Sequence, residues 1–209
     1  MKTPSWRRGL ERHGAFWHNP RWFDLHLERR MPLAFTMLEE LTAALPPLDP
    51  NARVVDVACG TGNASFTLLT AYPVVQLTLL DADRALLDVA EEKLDEFELD
   101  DDLHVLEAPL PTGGEPLPGG PYEAAIAGLG LSTLVGEETD SAEAEGRYEL
   151  LFRSIGAALV PGGHLLVGDH VGTLGLYRHL KAMERAGFVD VDCAWRQQDF
   201  FVIGGRVPD

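Results

Sequence analysis

The chain has 209 residues, 45% of them hydrophobic and 24% charged, a length that suits one domain able to bury a core without staples. Lysine and arginine number 17 against 33 aspartate and glutamate, and a net charge of −16 disfavours nucleic acid or any other polyanion as partner. No apolar run is long enough to span a membrane, no signal-peptide core opens the chain, and Cys59 and Cys193 form no disulfide or metal pattern, so we expect a cytoplasmic protein with no metal.

Residues 1–32 read as an amino-terminal helical cap, rich in arginine (Arg7, Arg8, Arg12, Arg21, Arg29, Arg30) and tryptophan (Trp6, Trp17, Trp22). Such a head can grip RNA by phosphate contacts and stacking. An amphipathic helix packing its aromatics on the domain is the simpler reading. From residue 33 to 209 the pattern is that of a single domain. Leu33, Met37, Leu38, Leu41 and Leu45 recur at helical spacing, and Pro46-Pro47 stops that helix. A short strand follows (Val54, Val55, Val57), then a turn of small residues, then a helical pattern. The next strand, 74–80, ends in Asp81, and the helix after it carries Leu86, Leu87, Ala90, Leu94 and Phe97 on one stripe. Strand three covers 103–107. Strand four covers 122–129, after a Gly- and Pro-rich loop. Tyr148, Leu151, Phe152, Ile155 and Leu159 mark a helix that Pro161-Gly162-Gly163 ends, with strand five at 165–167. A helix over 174–185 stops at Gly187. Two last strands, 189–195 and 199–203, are separated so briefly that only an antiparallel hairpin can join them. The whole is α/β: a doubly wound, Rossmann-like, mostly parallel sheet of seven strands with an antiparallel last strand.

The stretch Arg-Val-Val-Asp-Val-Ala-Cys-Gly-Thr-Gly-Asn-Ala, 53–64, carries the most chemistry. Gly60 and Gly62 leave backbone uncovered where a helix begins, so a ligand can lie on its amides. An acid at the tip of the second strand, Asp81, is where a ribose diol is held. A dinucleotide fingerprint needs a third glycine, and here Asn63, Ala64 and Ser65 follow instead. Asp56, inside the strand, is also foreign to that fingerprint. A nicotinamide-dependent oxidoreductase is therefore a distant reading.

This stretch closely resembles the first motif of class I S-adenosylmethionine-dependent methyltransferases. Leu-Val-Pro-Gly-Gly-His-Leu-Leu-Val (159–167), Ala-Gly-Phe-Val-Asp-Val (186–191) and the final hairpin resemble further signatures of that family. One departure stands at Ala58, where the family usually has its first glycine; alanine costs little there if its φ is negative. The resemblance implies that S-adenosylmethionine is the cofactor. It implies that Ala58, Cys59, Gly60 and Gly62 lie against the methionine part, with Asp56 near the ammonium. Asp81 would accept from both ribose hydroxyls and Ala82 would touch adenine. At the end of strand three, Glu107 or Pro109 would stand near the adenine amine, with Ala108 close to the base in either register. Ala127, Gly128 and Leu129 would meet the methionine carboxylate and amine. Asp81 has a plainer alternative as a helix cap, a role that Asp83 is equally placed to fill.

The acceptor is less legible. The family's transfer needs alignment and dryness, and a base only when the acceptor holds a proton. His170, at the end of strand five, is the candidate base, and Ser132, after strand four, is a candidate for orienting the acceptor; Asp169, Tyr177 and His179 rank behind them. Trp17, His18 and Trp22 are candidates for capping a substrate pocket. No Asn-Pro-Pro-Tyr or Asp-Pro-Pro-Tyr follows strand four, where Gly-Leu-Gly-Leu-Ser stands, which disfavours base-amine methylation. The expectation is O- or N-methylation of a small molecule by a monomer or homodimer. Alternatives are an RNA- or tRNA-modifying methyltransferase, an enzyme making a carboxylated S-adenosylmethionine derivative, and a non-catalytic cofactor-binding partner subunit.

Overall fold

A computed structural model describes residues 19–111, 113–136, 140–172 and 174–209. Its described elements run, in chain order, α1 (Pro20–Arg30), α2 (Leu33–Ala43), β1 (Arg53–Val57), α3 (Asn63–Ala71), β2 (Gln76–Asp81), α4 (Arg84–Leu94), β3 (Leu103–Glu107), β4 (Tyr122–Gly128), α5 (Leu131–Val135), α6 (Ser141–Gly156), β5 (Leu159–His170), α7 (Leu176–Arg185), β6 (Val189–Gln197) and β7 (Phe200–Arg206). The seven strands form one sheet in the order β3-β2-β1-β4-β5-β7-β6. The first five are parallel, and β7 runs antiparallel to both β5 and β6.

Helix ends follow local chemistry. Asn19 accepts from the Arg21 amide ahead of Pro20 at the first helical position of α1. Asp83 caps α4 by accepting from the Ala85 amide at 2.9 Å. Asp140 caps α6 by accepting from the Glu143 and Ala142 amides, which hold its carboxyl below the usual range.

Helices cover both faces of the sheet, so its central strands are apolar on both sides. Alternate residues supply the two cores. Val54, Leu77 and Leu79 join Met37, Leu41, Leu68 and Leu87 on one face. Val55, Val57 and Leu80 join Tyr148, Phe152, Met183 and Phe201 on the other. Because Leu68 of α3 lies in the first core and Leu131 of α5 in the second, the chain leaves β1 and β4 toward opposite faces. Those strands are neighbours, so a crevice opens above their carboxyl ends.

Apart from shifts of a few residues at element ends, two elements differ from the sequence reading. Strand β5 begins at Leu159 rather than after the Pro-Gly-Gly segment. That segment instead forms an irregularity within the strand: Leu159 pairs with Tyr122 and His164 with Ala124. The short helix α5 has no helical periodicity of its own to announce it.

Candidate active site

The turn after β1 holds three residues of positive φ: Ala58 at 54°, Gly60 at 55° and Gly62 at 74°. Alanine at position 58 thus does not enjoy the negative φ on which its low cost depended; the left-handed conformation makes it strained. Its Cβ is accommodated because Gly130 lies opposite, where an added Cβ would come within 2.7 Å of it. The two glycines do different work. A Cβ on Gly60 would meet nothing within 4 Å, so that backbone stands open to a ligand. A Cβ on Gly62 would come within 2.9 Å of Ala90 Cβ. Gly62 therefore lets α3 begin close against α4.

Asp81 ties this turn to β2. Its carboxylate accepts from the Gly60 amide at 2.9 Å and from the Asp83 amide at 3.0 Å. The capping role belongs to Asp83, which leaves Asp81 at the strand tip, only partly buried.

Asp56 lies beneath the turn with no exposed surface. One carboxyl oxygen accepts from the Ser65 hydroxyl at 2.7 Å and the Ser65 amide at 3.1 Å, while the other, Oδ1, has no partner. Burial pushes this carboxyl from its ordinary 3.8 up to about 7, against the pull of the Ser65 bonds. Burial, with Asp56 and Asp81 nearby, also pushes the Cys59 thiol upward. Cys59 is thus a small packing residue rather than a nucleophile.

A cavity of about 290 Å³ occupies the crevice. Ala58, Cys59, Gly60 and Asp81 form its floor, and Gly128, Leu129 and Gly130 its wall at the end of β4. Leu129 has a φ of 62°, held there by its amide donating to the Gly168 carbonyl at 2.8 Å. Ala82 and Leu86 line the β2 side, and Leu110 the β3 side. Ala108 and Pro109 lie just short of this lining, with the Ala108 amide bonded to the Asp81 carbonyl at 2.9 Å. Glu107 is exposed at the end of β3. Ala127 is fully buried in β4, behind the wall.

The catalytic candidates fall on a neighbouring cluster. Buried Asp169 accepts from the Ser132 hydroxyl at 2.9 Å, the Ser132 amide at 3.0 Å and the His170 amide at 2.8 Å. The Ser132 hydroxyl is therefore turned toward Asp169, while Thr133 and Leu134 of the same helix reach the cavity. His170 sits half-buried at the end of β5, its ring edge-on to Phe200. His179 is buried among Tyr148 and Phe201 with Nδ1 on the Gly175 carbonyl, and burial lowers its pKa. Tyr177 is exposed beside Lys181.

Helix α1 supplies a wall of the cavity through residues that the sequence reading did not single out. Trp17 and His18 lie outside the described residues, and Trp22 is about half exposed. Phe23 and Leu27, four apart on one helical face, line the cavity instead. Between them Asp24 accepts from Thr61 Oγ1 and Asn63 Nδ2, both at 2.7 Å, and from Lys93 Nζ at 2.6 Å. The i, i+4 pair of apolar residues was the available signal; the long-range partners of Asp24 gave none. On the same helix Arg21 pairs with Glu92 at 2.9 Å. Among the described residues no cluster of His, Cys, Asp and Glu is arranged to hold a metal ion, and no helix is long and apolar enough to cross a membrane.

Comparison with known proteins agrees with this geometry. A family model for methyltransferase domains matches residues 54–163. No curated protein sequence matches the chain. Among solved structures, the S-adenosylmethionine-dependent methyltransferase SibL in its apo form is similar with a TM-score of 0.67 and 17% identity, over 94% of this chain and 62% of that one. An O-methyltransferase family protein from Burkholderia thailandensis is similar with a TM-score of 0.66 and 16% identity, over 91% and 60%. The glycopeptide N-methyltransferase MtfA, complexed with S-adenosyl-L-methionine, is similar with a TM-score of 0.63 and 15% identity, over 84% and 94%. The chain thus spans about three-fifths of the first two and nearly all of the third.

Proposed function

The chain belongs to the class I S-adenosylmethionine-dependent methyltransferases, and from that premise we propose that it transfers the cofactor's methyl group to oxygen or nitrogen of a small-molecule acceptor. The observation that carries this reading is the pairing of Gly60 with Asp81: an open backbone and a carboxylate joined at 2.9 Å, on the floor of a cavity at the sheet's switch point.

The residues present fit the cofactor. At Gly60 the backbone is open, with nothing within 4 Å of where a Cβ would stand. Asp81 retains acceptor capacity on both oxygens after its two amide bonds, which suits a vicinal diol. When bound, S-adenosylmethionine supplies a methyl on a positively charged sulfur with an excellent leaving group. The chain's own work is then to hold, align and dry the site. Asp81 would hold the ribose, Ala82 and Leu86 the adenine, and the backbone of Gly60 and Gly128–Gly130 the amino-acid end. Phe23, Leu27 and Leu134 would exclude water. For an acceptor that keeps its proton at neutral pH, His170 is our base, with Asp169 setting the β5 end and Ser132 positioned through it. The acidic surface and the largely apolar lining support a small neutral or cationic acceptor over a polyanion. The N-methyltransferase MtfA and the O-methyltransferase family protein support either atom. A cytoplasmic location and a monomeric or homodimeric state belong to the same proposal.

Calorimetric titration with S-adenosylmethionine and S-adenosylhomocysteine tests it, on wild type and Asp81→Ala, with NAD as control. The expected result is micromolar binding of both sulfur nucleosides, weakened ~100-fold in the variant, or ~3 kcal/mol. Absence of binding by well-folded wild type would overturn the proposal and favour a subunit that acts only with a partner.

A further inference from the structure

We infer that Asp24 is a positioning residue that latches α1 across the pocket, and that cofactor exchange requires its bonds to break. The second half of this inference rests on the cofactor site proposed above. Asp24 faces the cavity side of α1, one residue after Phe23 and three before Leu27, which line that cavity. Its two oxygens take three donors: Thr61 in the β1–α3 turn, Asn63 at the start of α3, and Lys93 on α4. Lys93 also donates to Asn63 Oδ1 at 2.6 Å, which closes the cluster. Thr61 is buried, and the Asp24 and Lys93 side chains are 30% and 19% exposed. The pair is therefore shielded enough to matter, yet near enough to solvent to open.

Apolar contact holds α1 at two places: of its 11 residues only Leu27 is fully buried, and Phe23 packs partly buried against the same core. Several other walls cannot yield cheaply: the ends of β1, β2 and β4 belong to the sheet, and Leu38 of α2 is part of the core. A wall with one fully buried anchor and polar ties is a candidate to open locally while the rest stays folded. The latch also grips Thr61 and Asn63, which flank Gly62, and Thr61 is next to Gly60 in the chain. A bond that closes α1 thus also steadies the turn that would face the ligand.

The test combines a readout without ligand and one with it. Hydrogen exchange over residues 20–31 in the ligand-free protein should rise about tenfold in Asp24→Ala, the weight of ~1.4 kcal/mol, with the sheet peptides still far better protected than this segment and the melting temperature lowered by only a few degrees. Dissociation of S-adenosylhomocysteine, followed by stopped flow, should quicken by a similar factor. Lys93→Met leaves Asp24 its Thr61 and Asn63 donors, and should move both readouts less in the same direction. Exchange over 20–31 that stays at the wild-type rate in both variants overturns the latch. Faster exchange with unchanged ligand release overturns its role in cofactor exchange. If wild type binds no S-adenosylhomocysteine while exchange responds as expected, the latch stands and the proposed cofactor falls.

Discussion

Replacing Asp56 with asparagine should stabilise the protein at alkaline pH and flatten the dependence of its stability on pH. Asp56 is fully buried, and its Oδ1 has no partner. Ionising it leaves a charge whose compensation comes chiefly from the Ser65 hydroxyl and amide. Its folded pKa of about 7 stands above the ordinary 3.8. Between those values the folded protein binds more protons than the unfolded chain, so stability falls as pH rises through that window. Three units correspond to about 4 kcal/mol lost by pH 8 relative to a neutral isostere, more than half of it developing between pH 5 and pH 8. Asparagine can still accept from Ser65 and places an amide where the protonated acid has its hydroxyl. Urea denaturation of both proteins at pH 5, 6, 7 and 8 measures the effect, and the two curves should converge toward the acid end. A wild-type stability flat across this range, or an Asp56→Asn protein less stable than wild type at pH 8, would refute the assignment of a buried, readily protonated carboxyl.

Three further outcomes follow from the turn and the β5 end. Ala58→Gly should raise stability by about 1 kcal/mol in chemical denaturation, since it relieves a left-handed alanine. Gly62→Ala should cost ~3 kcal/mol, combining positive φ with a Cβ driven against Ala90; Gly60→Ala should cost only the strain of ~1 kcal/mol but weaken binding of S-adenosylhomocysteine. Equal stability losses at the two glycines would contradict their separate roles. Ser132→Ala should lower stability by ~1 kcal/mol through its lost bond to Asp169 while leaving S-adenosylhomocysteine affinity as it was, read by denaturation and calorimetry on the same sample.

Much of the fold was legible because its signals are local. Strands three and four, read at 103–107 and 122–129, the helical stripe from Leu33 to Leu45, and the closing hairpin each declare themselves within a window of a few residues, through periodicity and turn chemistry. The Gly60–Gly62 turn and Asp81 were legible for the same reason: a strand tip and a helix start are short-range features. The β5 irregularity was not, because Pro-Gly-Gly reads as a break whether or not the strands beside it continue the ladder. Trp22 stood out by residue type, yet the helix face that the core selected was that of Phe23 and Leu27.

By itself, then, the sequence determined the order of strands and helices, the open turn after β1 and the acid at the tip of β2, since each depends on neighbours along the chain. Tertiary structure decided what those residues face. Ala58 takes a positive φ because β1 and α3 are held in place by the sheet and by the approach of α4, and the turn must join them as they lie. Ser132 meets Asp169, and Asp24 meets Lys93, across 37 and 69 residues of chain. No periodicity encodes such meetings; only the docking of the helices onto the sheet brings those polar groups within bonding distance.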